Sequence, residues 1–161
     1  MKIAIFGLSL SSSWGNGHAT TFRALLAALA KANHKVTFFE RDTPWYRDNR
    51  DLPDPDYARL VLYDDPARLE AFAEEIGRQD AVIVGSFVPD GERIAAFVLK
   101  NANGVVAFYD IDTPVTLEAL EAGGCDYLTP ELARRFDIYF SFSGGRALEL
   151  LKERHGVANP V

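Results

Sequence analysis

The sequence has little of what secreted, membrane-spanning or nucleic-acid-binding proteins require. Its 161 residues include one cysteine, Cys125, which excludes an internal disulfide and predicts a reducing, cytoplasmic compartment. No apolar run approaches the roughly 20 residues of a membrane span, and the start of the chain lacks the apolar segment of a secretion signal. The formal charge is −6 and no block of Lys or Arg occurs, so the sequence predicts that nucleic acid is not a partner.

Two common nucleotide-binding signatures are also missing or incomplete. The chain contains no Gly-Lys pair, which excludes a P-loop. A dinucleotide fingerprint needs G-x-G-x-x-G and an acid after the second strand; Gly15, Gly17 and Glu40 supply part of it, but Thr20 replaces the third glycine. A nucleotide- or dinucleotide-binding module without transferase activity therefore stays open as an alternative function, and a pure interaction domain is a third possibility.

What the sequence does contain is a regular alternation of strand and helix patterns. Continuous Val/Ile/Phe runs alternate with segments whose apolar residues recur at helical spacing, as in Phe22, Leu25, Leu26 and Leu29. This predicts a single α/β domain over residues 1–156, a Rossmann-like, doubly wound parallel sheet of about six strands in three α/β/α layers. The predicted strands are Lys2–Phe6, Lys35–Phe39, Arg59–Tyr63, Ala81–Gly85, Val105–Tyr109 and Ile138–Phe142. Residues 157–161 are predicted as a tail or the start of an interdomain linker.

Polar loops follow the carboxyl ends of five predicted strands, where ligands bind in sheets of this type. We call these loops the rim; they are Leu10–His18, Glu40–Tyr46, Gly85–Gly91, Asp110–Pro114 and Ser143–Gly145. The second of them opens the irregular stretch Glu40–Asp56, which is predicted as a long surface loop because of its three prolines and many charges.

Several rim residues are candidates for binding a substrate. Trp14 and Trp45 are the only tryptophans and are suited to stack on an acceptor ring. Backbone amides at the start of the last helix are suited to a phosphate or carboxylate. The full set of candidate substrate-binding residues is Trp14, Gly15, Asn16, Gly17, Trp45, Ser86, Asp112, Ser143, Gly144 and Gly145.

Asp110 and Asp112 are spaced so that, in an extended segment, both point the same way and share a divalent cation. Pro114 breaks the related phosphotransfer motif, which needs Thr or Val at that position. We therefore assign no metal site from the sequence.

The first βα unit resembles the opening of GT-B glycosyltransferases. It has a strand, a loop, the turn Gly15-Asn16-Gly17-His18 at the start of an amphipathic helix, and then the segment Ala32–Thr37, in which Asn33 replaces the usual glycine. The sequence of this region, together with the segments "FFERDTPWYRDNRDLP", "YDIDTPVTL" and "FSFSGG", looks like that of the bacterial glycosyltransferases of the CgeB-like family. The resemblance extends over nearly the whole chain.

This resemblance implies an acceptor-side domain whose complete enzyme uses a nucleotide sugar as donor. In GT-B enzymes with the G-x-G-H turn, the histidine deprotonates the acceptor hydroxyl and a later aspartate orients it; His18 and Asp110 match these positions, with Asp112 as the competing partner. A direct His18–Asp110 pair would raise the pKa of the imidazole. Capping of the helix is the competing role for His18.

The resemblance also implies partners. GT-B enzymes have a second α/β domain that grips the nucleotide sugar, so the sequence predicts either a fragment or a stand-alone relative that needs a second domain or self-association through the rim. The expected substrate is a small-molecule or glycan acceptor, with no cofactor bound by this domain.

Overall fold

The computed structural model describes residues 1–161. It contains six strands, seven α-helices and one 3₁₀ helix, Pro66–Phe72. The strands are β1 (Lys2–Gly7), β2 (Lys35–Arg41), β3 (Arg59–Tyr63), β4 (Ala81–Gly85), β5 (Val105–Asp110) and β6 (Ile138–Ser141). The helices are α1 (His18–Lys31), α2 (Pro44–Arg47), α3 (Ala73–Gly77), α4 (Gly91–Asn101), α5 (Thr113–Ala122), α6 (Pro130–Ala133) and α7 (Arg146–Glu153). None of these helices is long and apolar enough to cross a bilayer.

The six strands form one parallel sheet in the order β3-β2-β1-β4-β5-β6. This confirms the predicted Rossmann-like, doubly wound sheet. Phe6 at the centre of the sheet pairs with Phe39 of β2 and with Val84 of β4. The chain order reverses between β1 and β4, so the switch point of the sheet lies where the first rim loop and the loop after β4 meet.

Side chains of the central strands alternate between two cores because successive residues of a strand point to opposite faces. Ile3 and Ile5 belong to the smaller core, where they pack with Phe22 and Leu26 of α1. Ala4, Phe6 and Val82 belong to the larger core of 23 buried residues, to which helices α3 to α7 contribute.

The two helical layers are therefore unequal. Right-handed crossovers from β1 to β2 and from β3 through β6 run in opposite directions along the sheet, which places α1 on one face and the later helices on the other. On the α1 face, the part of the sheet beyond β1 keeps Tyr109 and Phe140 only partly buried, and Phe142 remains 53% exposed. The Tyr109 ring contacts the rings of both Phe140 and Phe142.

Two segments differ from the sequence-based expectation. The stretch Glu40–Asp56 is not a simple surface loop, because β2 continues to Arg41, α2 follows, and Tyr46 is buried. Residues 159–161 do not leave the domain as a free tail; they lie along β6, where the Tyr139 amide donates to the Asn159 carbonyl and the Val161 amide donates to the Tyr139 carbonyl.

A fully buried carboxylate, Glu40, connects β2 to the first rim loop. Glu40 pairs in register with Gly7, the last residue of β1, so its side chain reaches the loop that leaves that strand. It accepts hydrogen bonds from the Leu10 amide (2.6 Å), the Ser11 amide (2.8 Å) and the Ser11 hydroxyl (2.6 Å). Hydrogen bonds to an ionised acceptor are about twice as strong as neutral ones, and they replace the water that Glu40 has lost.

Glu40→Gln is expected to destabilise the fold by at least about 2 kcal/mol, measured by urea unfolding. The carboxamide keeps one acceptor for the two amides, but its NH₂ group replaces the oxygen that accepts the Ser11 hydroxyl, so the hydroxyl proton loses its partner. Glu70→Gln, at an exposed carboxylate, is the matched control and should change the free energy of unfolding by less than about 0.5 kcal/mol. Equal unfolding midpoints for the two variants would contradict this role of Glu40.

Candidate functional site at the rim of the sheet

The first rim loop is fastened to α1 by the side chain of Asn16. Its Oδ1 accepts a hydrogen bond from the Ala19 amide (3.1 Å), and its Nδ2 donates to the Trp14 carbonyl (3.1 Å). Asn16 thus satisfies a free amide in the first turn of the helix, as capping residues do. This bond fixes where α1 begins, and its first residue is His18.

A second set of bonds ties the same loop to the segment after α2. Arg23 forms a two-point ion pair with Asp51 (2.6 and 3.1 Å), and the amide and hydroxyl of Ser13 also donate to Asp51. The Arg23 guanidinium holds the pKa of the Asp51 carboxyl well below its usual range. Leu52 donates its amide to the Ser11 carbonyl (2.9 Å). The first rim loop, α1 and the segment after α2 therefore form one hydrogen-bonded unit.

His18 lies partly buried at the switch point of the sheet. Its imidazole meets the ring of Phe87 edge-on, with 5.3 Å between the centroids. Nδ1 is buried without a hydrogen-bond partner, whereas Nε2 keeps access to solvent. Burial lowers the pKa of His18 below its ordinary value, and the charge of Asp112 opposes this to a smaller extent. The imidazole is therefore neutral at neutral pH, the form that accepts a proton.

The structure does not join His18 to Asp110. Asp110 is fully buried, and its oxygens accept hydrogen bonds from the Tyr139 hydroxyl (2.6 Å), the Thr116 hydroxyl (2.8 Å) and the Asp112 amide (3.3 Å). Burial raises the pKa of Asp110, and these donors oppose the rise. The expected His18–Asp110 hydrogen bond is thus absent, because Tyr139, Thr116 and the Asp112 amide already donate to the Asp110 carboxylate. Asp112, which is exposed, is the acid whose charge His18 senses.

Phe87 was not identified as a site residue from the sequence. It adopts a left-handed backbone conformation (φ 62°), as does Asp90 (φ 58°). Such conformations cost non-glycine residues free energy and cluster at functional sites. An ion pair between Arg41 and Asp90 (2.8 Å) holds the end of this turn, so Arg41 does not pair with the acids of its own loop. The sequence marked this loop by its turn residues and by Ser86, but not by Phe87.

Ser86 lies next to Phe87 but does not present its hydroxyl to a ligand. It is fully buried, and its oxygen accepts a hydrogen bond from the Ile111 amide (3.1 Å). Ser86 therefore joins the loop after β4 to the loop after β5 and positions both.

The two tryptophans are open to solvent on the first and second rim loops. Trp14 is 55% exposed and Trp45 is 51% exposed. Gly15 and Gly17, between Trp14 and His18, are exposed as well, and Gly15 has a positive φ of 65°. These residues are accessible to a ligand, and their predicted role in binding one stays a prediction.

The turn before α7 is partly used by the protein itself. The Ser143 amide donates to the Ser141 hydroxyl (3.1 Å), which donates in turn to the Ser143 carbonyl (2.7 Å). Gly144 and Gly145 are exposed, and Gly145 has a φ of 59° that favours glycine. Because the Ser143 amide is already bonded, the predicted anion site has only the backbone amides after Ser143 left to bind an anion.

The arrangement around Glu40 disfavours the dinucleotide alternative. In that alternative the acid after the second strand binds a ribose hydroxyl. Here both oxygens of Glu40 accept hydrogen bonds from the first rim loop and are shielded from solvent. Arg47 and Arg50 also pair with Asp42 across the same stretch. No group of three or more His, Cys, Asp or Glu side chains is placed to hold a metal ion.

No protein-family model matches the chain, and no curated protein does so either. Among solved structures, one similar protein is an alpha-glucosyltransferase in complex with UDP and a 13-mer DNA containing a HMU base. The match covers 99% of this chain and 41% of the glucosyltransferase chain, with TM-score 0.63 and 19% identity. An alpha-glucosyltransferase in complex with UDP-glucose and DNA containing an abasic site matches 100% of this chain and 41% of its own, with TM-score 0.59 and 20% identity.

A short-chain dehydrogenase/reductase from Veillonella parvula DSM 2008 matches 87% of this chain and 68% of its own, with TM-score 0.50 and 15% identity. These likenesses show a shared fold. The chain spans about two fifths of the length of the glucosyltransferases that it matches.

These findings overturn the expectation that nucleic acid is not a partner. Two of the similar glycosyltransferase structures contain DNA, so the fold is compatible with a DNA-bound protein. The expectation came from the formal charge of −6, which averages over all faces of the chain. Binding to phosphates depends instead on the local charge of one surface, which a sum over the sequence does not describe.

NMR titration of His18 should give a pKa below 6.5 in the parent chain. Phe87→Ala should raise this pKa, because it uncovers the imidazole, and Asp112→Asn should lower it further, because it removes the opposing charge. Asp110→Asn should have a smaller effect than Asp112→Asn. The pKa of His155, which is lowered mainly by its own burial, is the internal control and should not change. A larger response to Asp110→Asn than to Asp112→Asn would contradict this assignment.

Proposed function

We propose that this chain is the acceptor-side α/β domain of a nucleotide-sugar-dependent glycosyltransferase, in which His18 is the base that accepts the proton of the acceptor hydroxyl. The observation that carries the proposal is the partly buried imidazole of His18 at the switch point, whose pKa burial lowers and whose Nδ1 has no hydrogen-bond partner within the protein. The shared fold with glucosyltransferases and the sequence resemblance to CgeB-like glycosyltransferases support the same function.

The proposed step uses His18 as the base and two residues near it, Phe87 and Asp112. The acceptor oxygen attacks the anomeric carbon of the donor while its proton passes to Nε2, and the nucleoside diphosphate leaves with the electron pair of the broken bond. Burial against Phe87 keeps the imidazole unprotonated before the step. Asp112 then stabilises the imidazolium that forms, because its charge favours the protonated ring.

Binding of the donor is assigned to a second domain. The chain corresponds to about two fifths of the glucosyltransferases it resembles, whose structures contain UDP or UDP-glucose. A GT-B enzyme places its reactants between two α/β domains, so the 161-residue chain alone is expected to lack the positioning that accelerates transfer.

The test is sugar transfer from UDP-glucose by a protein that carries this chain together with a second α/β domain. His18→Gln should lower kcat by about 10²- to 10⁴-fold with little change in KM, because a general base acts in the transition state. His34→Gln, at a histidine that bonds the amino terminus, is the matched control and should retain the parent kcat. The 161-residue chain alone should not transfer sugar above its own His18→Ala variant.

Two results would contradict the proposal. A His18→Gln enzyme within about threefold of the parent kcat would remove His18 as the base. Saturable binding of NADP⁺ by the 161-residue chain, with amide shifts at Gly15 and Gly17, would instead support the dinucleotide-binding alternative.

A further inference from the structure

A cleft of about 380 Å³ lies between the loop after β4, which carries Phe87, and the α5 helix with the segment that follows it. One wall is formed by Phe87 and Pro89, and the opposite wall by Val115 and Ala119 of α5 and by Tyr127. Its size and apolar lining are those of small-molecule sites.

Phe87 connects the cleft to the proposed base, because it lines the cleft and also contacts His18. Its ring lies 5.3 Å from the His18 ring and 4.8 Å from the Tyr127 ring, measured between centroids. A molecule that lies in the cleft against Phe87 is therefore within one ring of the imidazole. The left-handed conformation of Phe87 is what presents its ring between the two neighbours.

The Tyr127 wall is held rigid by a buried chain of hydrogen bonds. Thr116 donates its single hydroxyl proton to Asp110 (2.8 Å), so the Tyr127 hydroxyl donates to Thr116 (2.8 Å). The Tyr139 hydroxyl binds the second oxygen of Asp110. Gly91 packs directly on Tyr127, since a Cβ at that position would lie 2.6 Å from the Tyr127 Cβ. Asp110 is thus a positioning residue for the wall of the cleft.

The charges of the cleft limit what it can bind. Two acids line it, Asp90 and Asp126, and no Lys, Arg or His does so. Asp90 is neutralised by Arg41 at 2.8 Å, whereas Asp126 is exposed and forms no ion pair. A phosphate or carboxylate in the cleft would meet a free like charge and no cation. An uncharged planar group, with a hydroxyl near Asp126 or His18, meets aromatic and aliphatic walls instead.

We propose that this cleft binds the uncharged, planar apolar part of the glycosyl acceptor and so places its hydroxyl at His18. The proposal rests on the proposed function, because it names the acceptor class of that same site. It predicts that an aromatic glycoside or aromatic alcohol binds better than a purely polar sugar or an aromatic phosphate.

The test is an NMR titration of the 161-residue chain with three probes: phenyl β-D-glucopyranoside, methyl β-D-glucopyranoside and phenyl phosphate. The phenyl glucoside should bind at least about tenfold more tightly than the methyl glucoside, with saturable amide shifts at residues 87–90 and 115–127 and a shift of the His18 ring nitrogens. Phenyl phosphate should bind more weakly than the phenyl glucoside, because the cleft offers it no cation.

Val115→Glu places a hydrated carboxylate in the apolar wall and should weaken binding of the phenyl glucoside at least about fivefold. Val115 is 43% exposed, so this substitution leaves the core intact. Val105→Glu, at a valine 42% exposed at the start of β5 and thus at the end of the strands opposite to the rim, is the matched control and should bind like the parent.

The proposal is overturned if phenyl and methyl glucosides bind equally, if phenyl phosphate binds more tightly, or if the two Val→Glu variants respond alike. Shifts confined to another part of the surface would overturn it as well. Its failure is separate from that of the proposed function: kcat of His18→Gln tests the base without reference to the cleft. Tight phenyl glucoside binding with an unchanged kcat in His18→Gln would overturn the base and leave the cleft as a binding site.

Discussion

The structure depends on the burial of one carboxylate, that of Glu40. An ionised side chain shielded from water is tolerated only where donors replace its hydration, and here the backbone of the first rim loop supplies them. The loop is consequently folded around Glu40 at the end of β2. The same loop continues through Asn16 into the first turn of α1, so the bonds to Glu40 contribute to where His18 lies.

The pKa of His18 is determined by two opposing electrostatic effects. Burial against Phe87 disfavours the charged imidazole, and Asp112 favours it. The first effect dominates in the resting protein, which suits a group that must begin a reaction as a base. Asp110 takes no direct part in this balance, because its oxygens are engaged by Tyr139 and Thr116. Its hydrogen bonds instead hold Tyr139 and, through Thr116, the Tyr127 wall of the neighbouring cleft.

The handedness of the crossovers explains why the rim has this layout. Since β2 and β3 lie on one side of β1 and β4 to β6 on the other, the loops after β1 and β4 diverge at the switch point. His18 and Phe87 come from these two loops and meet in the gap between them. The same handedness sends helices α3 to α7 to one core, which leaves Phe140 partly buried and Phe142 exposed on the α1 face, where Phe22 of α1 contacts Tyr109.

Much of the fold was predictable from the sequence because its signals are local. All six strands lie within one or two residues of their predicted bounds, since runs such as "IAIF" are buried on both faces and need no distant information to be recognised. The position of His18 at the start of α1 was predictable as well, from glycines followed by a periodic apolar helix. The stretch Glu40–Asp56 was misjudged because its many charges are typical of solvated loops, whereas Asp42 and Asp51 are paired with Arg50 and Arg23.

The sequence by itself thus determined the α/β architecture, the parallel sheet and the loops that form its rim, because strand and helix periodicity is written in neighbouring residues. Only the tertiary structure decided which of these polar residues pair and which remain open. Glu40 and Asp110 are residue types that often occur in functional sites. Here their carboxylate oxygens already accept hydrogen bonds from segments about 30 residues away. Phe87 looks like a core residue and instead stands beside His18, because a left-handed turn held by an ion pair directs its ring there. Contacts of this kind depend on how distant segments pack, and no local pattern records them.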